Sequence, residues 1–270
     1  MDRSTWRLAL SFLAVATVLS LVVAPRAYAD NDGAAAGIGV EWVGQYVGTG
    51  APAANFGNLD TVDECLGGLY NIAADSATDW LWDFNWGNEL AWELDWKAPR
   101  AGGDASAWAD NVDLVAFSGH GLGNNFQFNN HNNDWVTTIG DLDLGLRDCE
   151  WALTYTCNFL HGSPSDYGVA ANGVHLICGY ATDMTITANG GSWFAYWATS
   201  SSGAAYPVRV AWYKYGQNTQ SGADENTART FGAVASVNDY LWGYGPVSAD
   251  PPPYGGNESK YAYWSTKLNW

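Results

Sequence analysis

A histidine and a cysteine, each just past a short apolar run, are the residues of this chain best placed to do chemistry. Val112 to Phe117 (VDLVAF) leads into Ser118-Gly119-His120-Gly121, and Glu150 to Tyr155 (EWALTY) leads into Thr156-Cys157-Asn158. A thiolate attacks a carbonyl carbon, a neighbouring imidazole takes and returns the protons, and backbone N–H groups hold the oxyanion. His120 is therefore the candidate base and Cys157 the candidate nucleophile. Gly121, with no Cβ to keep its backbone from a ligand, and Cys157 itself are the candidate oxyanion donors. Spacing alone is a weak signal, because buried cysteine is commonly inert and a reactive thiol must be partly exposed and activated.

That chemistry requires the two apolar runs to be neighbouring parallel strands, so that their C-terminal ends share one edge of a sheet, where open α/β folds place their sites. A third run, Val174 to Tyr180 (VHLICGY), has the same character. Short, fully apolar strands alternating with loops and helices predict a mainly parallel sheet covered on both faces. Ile38 to Tyr46 alternates as a strand does. Helices are predicted over Leu59 to Ile72, from Gly190-Gly191-Ser192 onward and over Val208 to Gln217, with a short helical lead-in at Asp104 to Asp110. Tyr261 to Trp264 reads as a last strand. The clearest pattern is WLWDFNWGNELAWELDWK, in which Trp80, Trp82, Phe84, Trp86, Leu90, Trp92, Leu94 and Trp96 all fall on even positions around Gly87-Asn88. It predicts a β-hairpin with its aromatic face on the core; left exposed, that face would be a platform for sugars or peptides.

The blocks VDLVAFSGHG (Val112 to Gly121) and WALTYTC (Trp151 to Cys157) resemble the caspase-like cysteine peptidases, a group that includes caspases, legumains, gingipains, clostripain and separase. AWELDWK, ADNVDLVAFSGHG and HLICGYATD together resemble a bacterial family of unknown function, DUF6345, over about Ile38 to Asn238. The caspase-like resemblance implies an α/β three-layer sandwich with a mostly parallel six-stranded sheet, here with the Trp-rich β-hairpin added. It also implies a peptide or protein substrate, no cofactor, His120 as the base and Cys157 as the nucleophile. The family pattern often has Ala or Ser before the cysteine, where this chain has Thr156. Asp183, after the third strand, is the candidate base of a specificity pocket; a carboxylate there would favour an Arg or Lys side chain.

Arg3 and Arg7, the apolar run Leu8 to Val23 and Ala27-Tyr28-Ala29 have the three-part layout of a secretory signal, predicting cleavage after Ala29, a secreted product, and a single domain over residues 30–270. Cleavage would leave 8 basic and 27 acidic side chains, a balance that argues against nucleic acid and anionic lipid as partners. Sixteen tryptophans imply a large aromatic core, a binding surface, or both. In an oxidising compartment Cys65, Cys149, Cys157 and Cys178 suggest two disulfides, or at most one if Cys157 is a nucleophile. Their spacing matches no metal site. The oxygen-rich NNHNND and GDLDLG segments have the ligand type that Ca²⁺ prefers, but no loop has the EF-hand pattern. His131 is expected in solvent, His161 at the rim of the site and His175 in a structural role. Two rival functions remain: a catalytically idle module that binds glycan or a cell-surface polymer, and a structural protein with Cys157 in a disulfide, for instance to Cys178.

Overall fold

The computed structural model describes residues 35–47, 56–75, 79–129, 135–220 and 226–268. The proposed signal segment and His131 lie outside these residues. A seven-stranded sheet forms the centre, in the order β2-β1-β3-β6-β7-β8-β9. The strands are β1 (Gly37–Trp42), β2 (Leu81–Gly87), β3 (Leu114–Ser118), β6 (Trp151–Tyr155), β7 (Leu176–Tyr180), β8 (Thr227–Ala233) and β9 (Tyr261–Lys267). The first five in that order pair in parallel, and β8 and β9 add antiparallel at the far edge. A separate antiparallel pair, β4 (Asn125–Gln127) with β5 (Val136–Thr138), lies beyond the β3 end.

The central strands are buried at every position, as expected of parallel strands covered on both faces. Their side chains alternate between two cores. Leu114, Ala116, Leu153 and Tyr155 point to one, and Val115, Phe117, Ala152 and Ile177 to the other. The first core is closed by helices: α1 (Val62–Gly67), α2 (Tyr70–Ala74), α4 (Gly190–Ala198) and α5 (Val208–Thr219) supply Leu66, Ile72, Phe194, Trp212 and Tyr215. The second core is closed mostly by irregular chain, through Trp96, Phe126, Phe128, Leu144 and Phe159, with Tyr167 from the short α3 (Pro164–Gly168). The expected three-layer sandwich thus has four of its five described α-helices on one face, and its sheet has seven strands where six were expected.

The expected hairpin does not form. Its first half is an edge strand, β2, paired in parallel with β1 in the register Trp86↔Glu41. The second half is two 3-10 turns, Asn88–Leu90 and Glu93–Asp95. Asn88 adopts a left-handed φ of 53°, and its Oδ1 accepts the N–H groups of Gly44 and Gln45, both at 2.9 Å. The chain is thereby turned across the second core, where Trp96 is wholly buried against Phe117 and Phe126. The helix expected over Leu59 to Ile72 is two short ones, and the lead-in at Asp104 is a 3-10 turn, Ala105–Ala107. In the segment that follows Gly121, Phe126 and Phe128 are buried completely.

Candidate functional site

The register of β3 against β6 puts the two predicted residues on adjoining strand ends. Ser118 pairs with Tyr155, and the Gly119 N–H donates to Tyr155 O at 3.4 Å. Two residues further along each strand stand His120 and Cys157, at the C-terminal edge of the sheet. Gly121 packs directly on the cysteine: a Cβ there would lie 2.5 Å from the Cys157 carbonyl oxygen and 2.9 Å from Thr156 Cβ. Only glycine fits this approach of two chains. Gly121 also faces Phe126, in a bridge made by Leu122 N–H to Asn125 O and Gln127 N–H to His120 O. Neither of those bonds uses the Gly121 N–H.

The His120 ring is half-buried and held from three sides. Tyr46 and Phe56 each place a ring centroid 4.8 Å away, Phe56 stacked. Nε2 lies 2.9 Å from Gly57 O. A carbonyl only accepts, so Nε2 carries the hydrogen and the neutral ring keeps its lone pair on Nδ1. Burial holds the imidazole below its ordinary range, against the opposing effect of the Gly57 carbonyl. Tyr46 also fixes the backbone, since its hydroxyl accepts the His120 N–H at 2.9 Å and donates to Gln127 O at 3.0 Å.

Cys157 is partly exposed and unpaired, as are the buried Cys65, Cys149 and Cys178; no disulfide joins any of the four. Its Sγ accepts the Met184 N–H at 3.4 Å and donates to Met184 O at 3.6 Å. Burial pushes the thiol up and the Asp183 carboxylate adds to this, outweighing the Met184 N–H. At neutral pH Cys157 is therefore a thiol and His120 a neutral imidazole. Asp183 is exposed and accepts Asn158 Nδ2 at 2.6 Å, so it stands at the rim of the site. Asn158 turns the chain after the cysteine in the left-handed region, φ 58°, which Asn tolerates better than most residues.

His161 is also on this side, exposed, with Nδ1 3.2 Å from Ala181 O. His175 is at the opposite end of β7, buried, with Nδ1 2.7 Å from Asp239 and Nε2 3.5 Å from Asp250. In the segment considered for Ca²⁺, Asp141 caps a turn at Thr138, and Asp143 pairs with Arg100 and accepts Asn172. Residues 130–134 lie outside the described part. Among the described residues no three His, Cys, Asp or Glu side chains are grouped to hold a metal, and no helix is long and apolar enough to cross a membrane. Sequence reasoning missed Tyr46, Phe56, Gly57 and Met184. They reach the site by contacts across the fold, two of them through backbone atoms that carry no residue-specific signal.

A mostly parallel sheet with a histidine and a cysteine on adjoining strand ends defines an α/β protein with a candidate thiol–imidazole site. The chain belongs to the family described as a domain of unknown function (DUF6345), whose profile matches residues 40–266. No curated protein matches the chain.

Proposed function

We propose that this protein is a secreted cysteine peptidase or related acyl-transfer enzyme of caspase-like fold, working on peptide substrates through His120 and Cys157. The observation that carries this reading is the packing of Gly121 on the Cys157 backbone, which aligns the two strand ends. Five parallel strands, with His-Gly and Cys ending two adjacent ones, also support the caspase-like assignment. The secretory layout of residues 1–29 supports export.

In the proposed reaction Sγ bonds to the substrate carbonyl carbon while its proton passes to His120 Nδ1, the nitrogen left free by the Gly57 contact. The Gly121 and Cys157 N–H groups hold the oxyanion. On collapse the imidazolium gives its proton to the leaving amine, and a thioester remains on Cys157. Water then releases an acid, or a second amine makes a new peptide bond. Because the resting thiol is neutral and held by Met184, substrate binding must free Sγ from that loop. Asp183 at the rim favours a basic side chain in the substrate.

The test is alkylation of the purified, non-reduced protein with iodoacetamide, followed by peptide mapping, for wild type and His120→Ala. With its thiol protonated at rest and held by Met184, Cys157 is expected to label more slowly than an unstructured thiol, and more slowly still without His120 to take the proton. A Cys157 that labels equally in both proteins removes the catalytic reading. What remains is the idle binding module on the same fold.

A further inference from the structure

A second site lies on the face of the sheet closed by irregular chain. Trp86, Leu90, Trp92, Asp95 and Trp108 line a cleft of about 370 Å³. Trp86 comes from the end of β2, Trp92 and Asp95 from the turns after it, and Trp108 from the segment before β3. The Trp86 and Trp108 rings meet at 66° with centroids 4.3 Å apart, backed by Phe84. Trp92 is pinned by its indole N–H, which donates to Glu89 O at 3.1 Å. Asp95 is joined to the Trp108 side of the cleft because its carbonyl accepts the Ala109 N–H at 3.2 Å. The walls are thus fixed from three separate stretches of chain.

Several carboxyl groups stand beneath these rings. Asp95 shares a hydrogen bond with the carboxyl of Glu41, and the charges acting on the two are carboxylates: Asp104 on Asp95, and Asp95 and Glu93 on Glu41. Glu41 is wholly buried; its Oε2 accepts the Trp96 indole N–H at 2.9 Å, and no donor meets its Oε1. Burial foremost pushes the Asp95 carboxyl up to about 6. Lys97 belongs to the same segment but does not line the cleft. Three indole rings and one carboxyl lining one cleft suit a cation that spreads its charge over methyl groups. A primary ammonium would need several acceptors, and ring faces are poor ones; a quaternary nitrogen needs none. A ligand that also bears an acid group would meet the surrounding carboxyls.

We infer that this cleft binds the quaternary ammonium group of a small organic cation such as choline, with Trp86, Trp92 and Trp108 around the charge and Asp95 as its counter-ion. The site is separate from His120 and Cys157, and the inference does not depend on their chemistry.

Indole N–H resonances of the full-length purified protein, followed by NMR as choline is added, test this. Choline should move the signals of Trp86, Trp92 and Trp108, each assigned from its Trp→Phe variant. The uncharged isostere 3,3-dimethylbutan-1-ol should leave them in place, and betaine should bind at least about tenfold more weakly than choline. Trp92→Ala, at the partly exposed rim, should weaken choline binding about tenfold, and Trp92→Phe should restore most of it. Asp95→Asn should weaken it about as much; if that variant misfolds by circular dichroism, the Trp92 pair decides. No movement with choline at about 50 mM, equal movement with the neutral isostere, or movement with an N-acetylglucosamine oligomer instead of choline would each overturn the inference.

Discussion

Replacing Gly121 by alanine tests the join on which the proposed site rests. The new Cβ would stand 2.5 Å from Cys157 O, 2.9 Å from Thr156 Cβ and 3.0 Å from Asn125 O. None of these is the far end of a flexible side chain that could swing aside. An ordinary carbon–oxygen contact is about 3.3 Å, so the two strand ends must part by roughly 0.8 Å. Overpacking of this kind costs about 1–3 kcal/mol, which in a domain of this size is a fall of roughly 2–12 °C in Tm. Its effect on reactivity should be larger in proportion, since a misplacement near 1 Å at a reacting centre costs on the order of 100-fold. The assay is thermal unfolding together with the alkylation rate of Cys157. Gly67→Ala is the control, because a Cβ at the end of α1 meets nothing within 4 Å; it should hold or slightly raise Tm. A Gly121→Ala protein with wild-type Tm and wild-type labelling would refute the reasoning. It would mean that the β3 and β6 ends are not packed against each other as described.

Four further outcomes are expected. Tyr46→Phe removes the hydroxyl that accepts the His120 N–H and donates to Gln127 O; it should cost about 1–3 kcal/mol in denaturant unfolding and slow Cys157 labelling, and a fully stable variant would show that the hydroxyl braces nothing. Denatured without reductant, the chain should titrate four thiols with a disulfide-exchange reagent, whereas two or none would contradict four unpaired cysteines. His175 is held above its ordinary pKa: burial acts to lower it, but the hydrogen bonds and charges of Asp239 and Asp250 outweigh that. Its stabilising effect is therefore complete below about pH 6.5 and lost as pH rises through the folded value. Asp239→Asn should flatten this slope and cost about 3 kcal/mol at pH 6; an unchanged slope would assign it to another group. Burial above all raises Glu41, so the folded state holds a proton there that the unfolded chain releases above about pH 4.3. Stability should fall as pH rises past that point, and Glu41→Gln should remove this contribution; a variant with the wild-type pH profile would show that Glu41 does not titrate as described.

The amino-acid order by itself determined the strands that carry the site and their direction relative to it. VDLVAF, EWALTY and VHLICGY are unbroken apolar runs because strands in the middle of a parallel sheet bury both faces, a property each run declares locally. His120, Gly121 and Cys157 were visible for the same reason, standing where those runs stop. The helices from Gly190 and Val208 and the last strand at Tyr261 were also legible from local pattern. Period-two alternation in WLWDFNW correctly marked which side chains of β2 pack on the protein. A shift in register between Trp82 and Phe84, however, sends Trp80 and Trp82 to one core and Phe84 and Trp86 to the other, and alternation names no partner. Only the tertiary structure decided that β2 pairs in parallel with β1 and that the following tryptophans turn across the core. β8 was not legible, since TARTFGA has little apolar character until it is laid between β7 and β9. Tyr46, Phe56, Gly57 and Met184 come to the site from distant parts of the chain. Contacts between residues far apart in sequence depend on how whole elements pack, and no single stretch of chain encodes them.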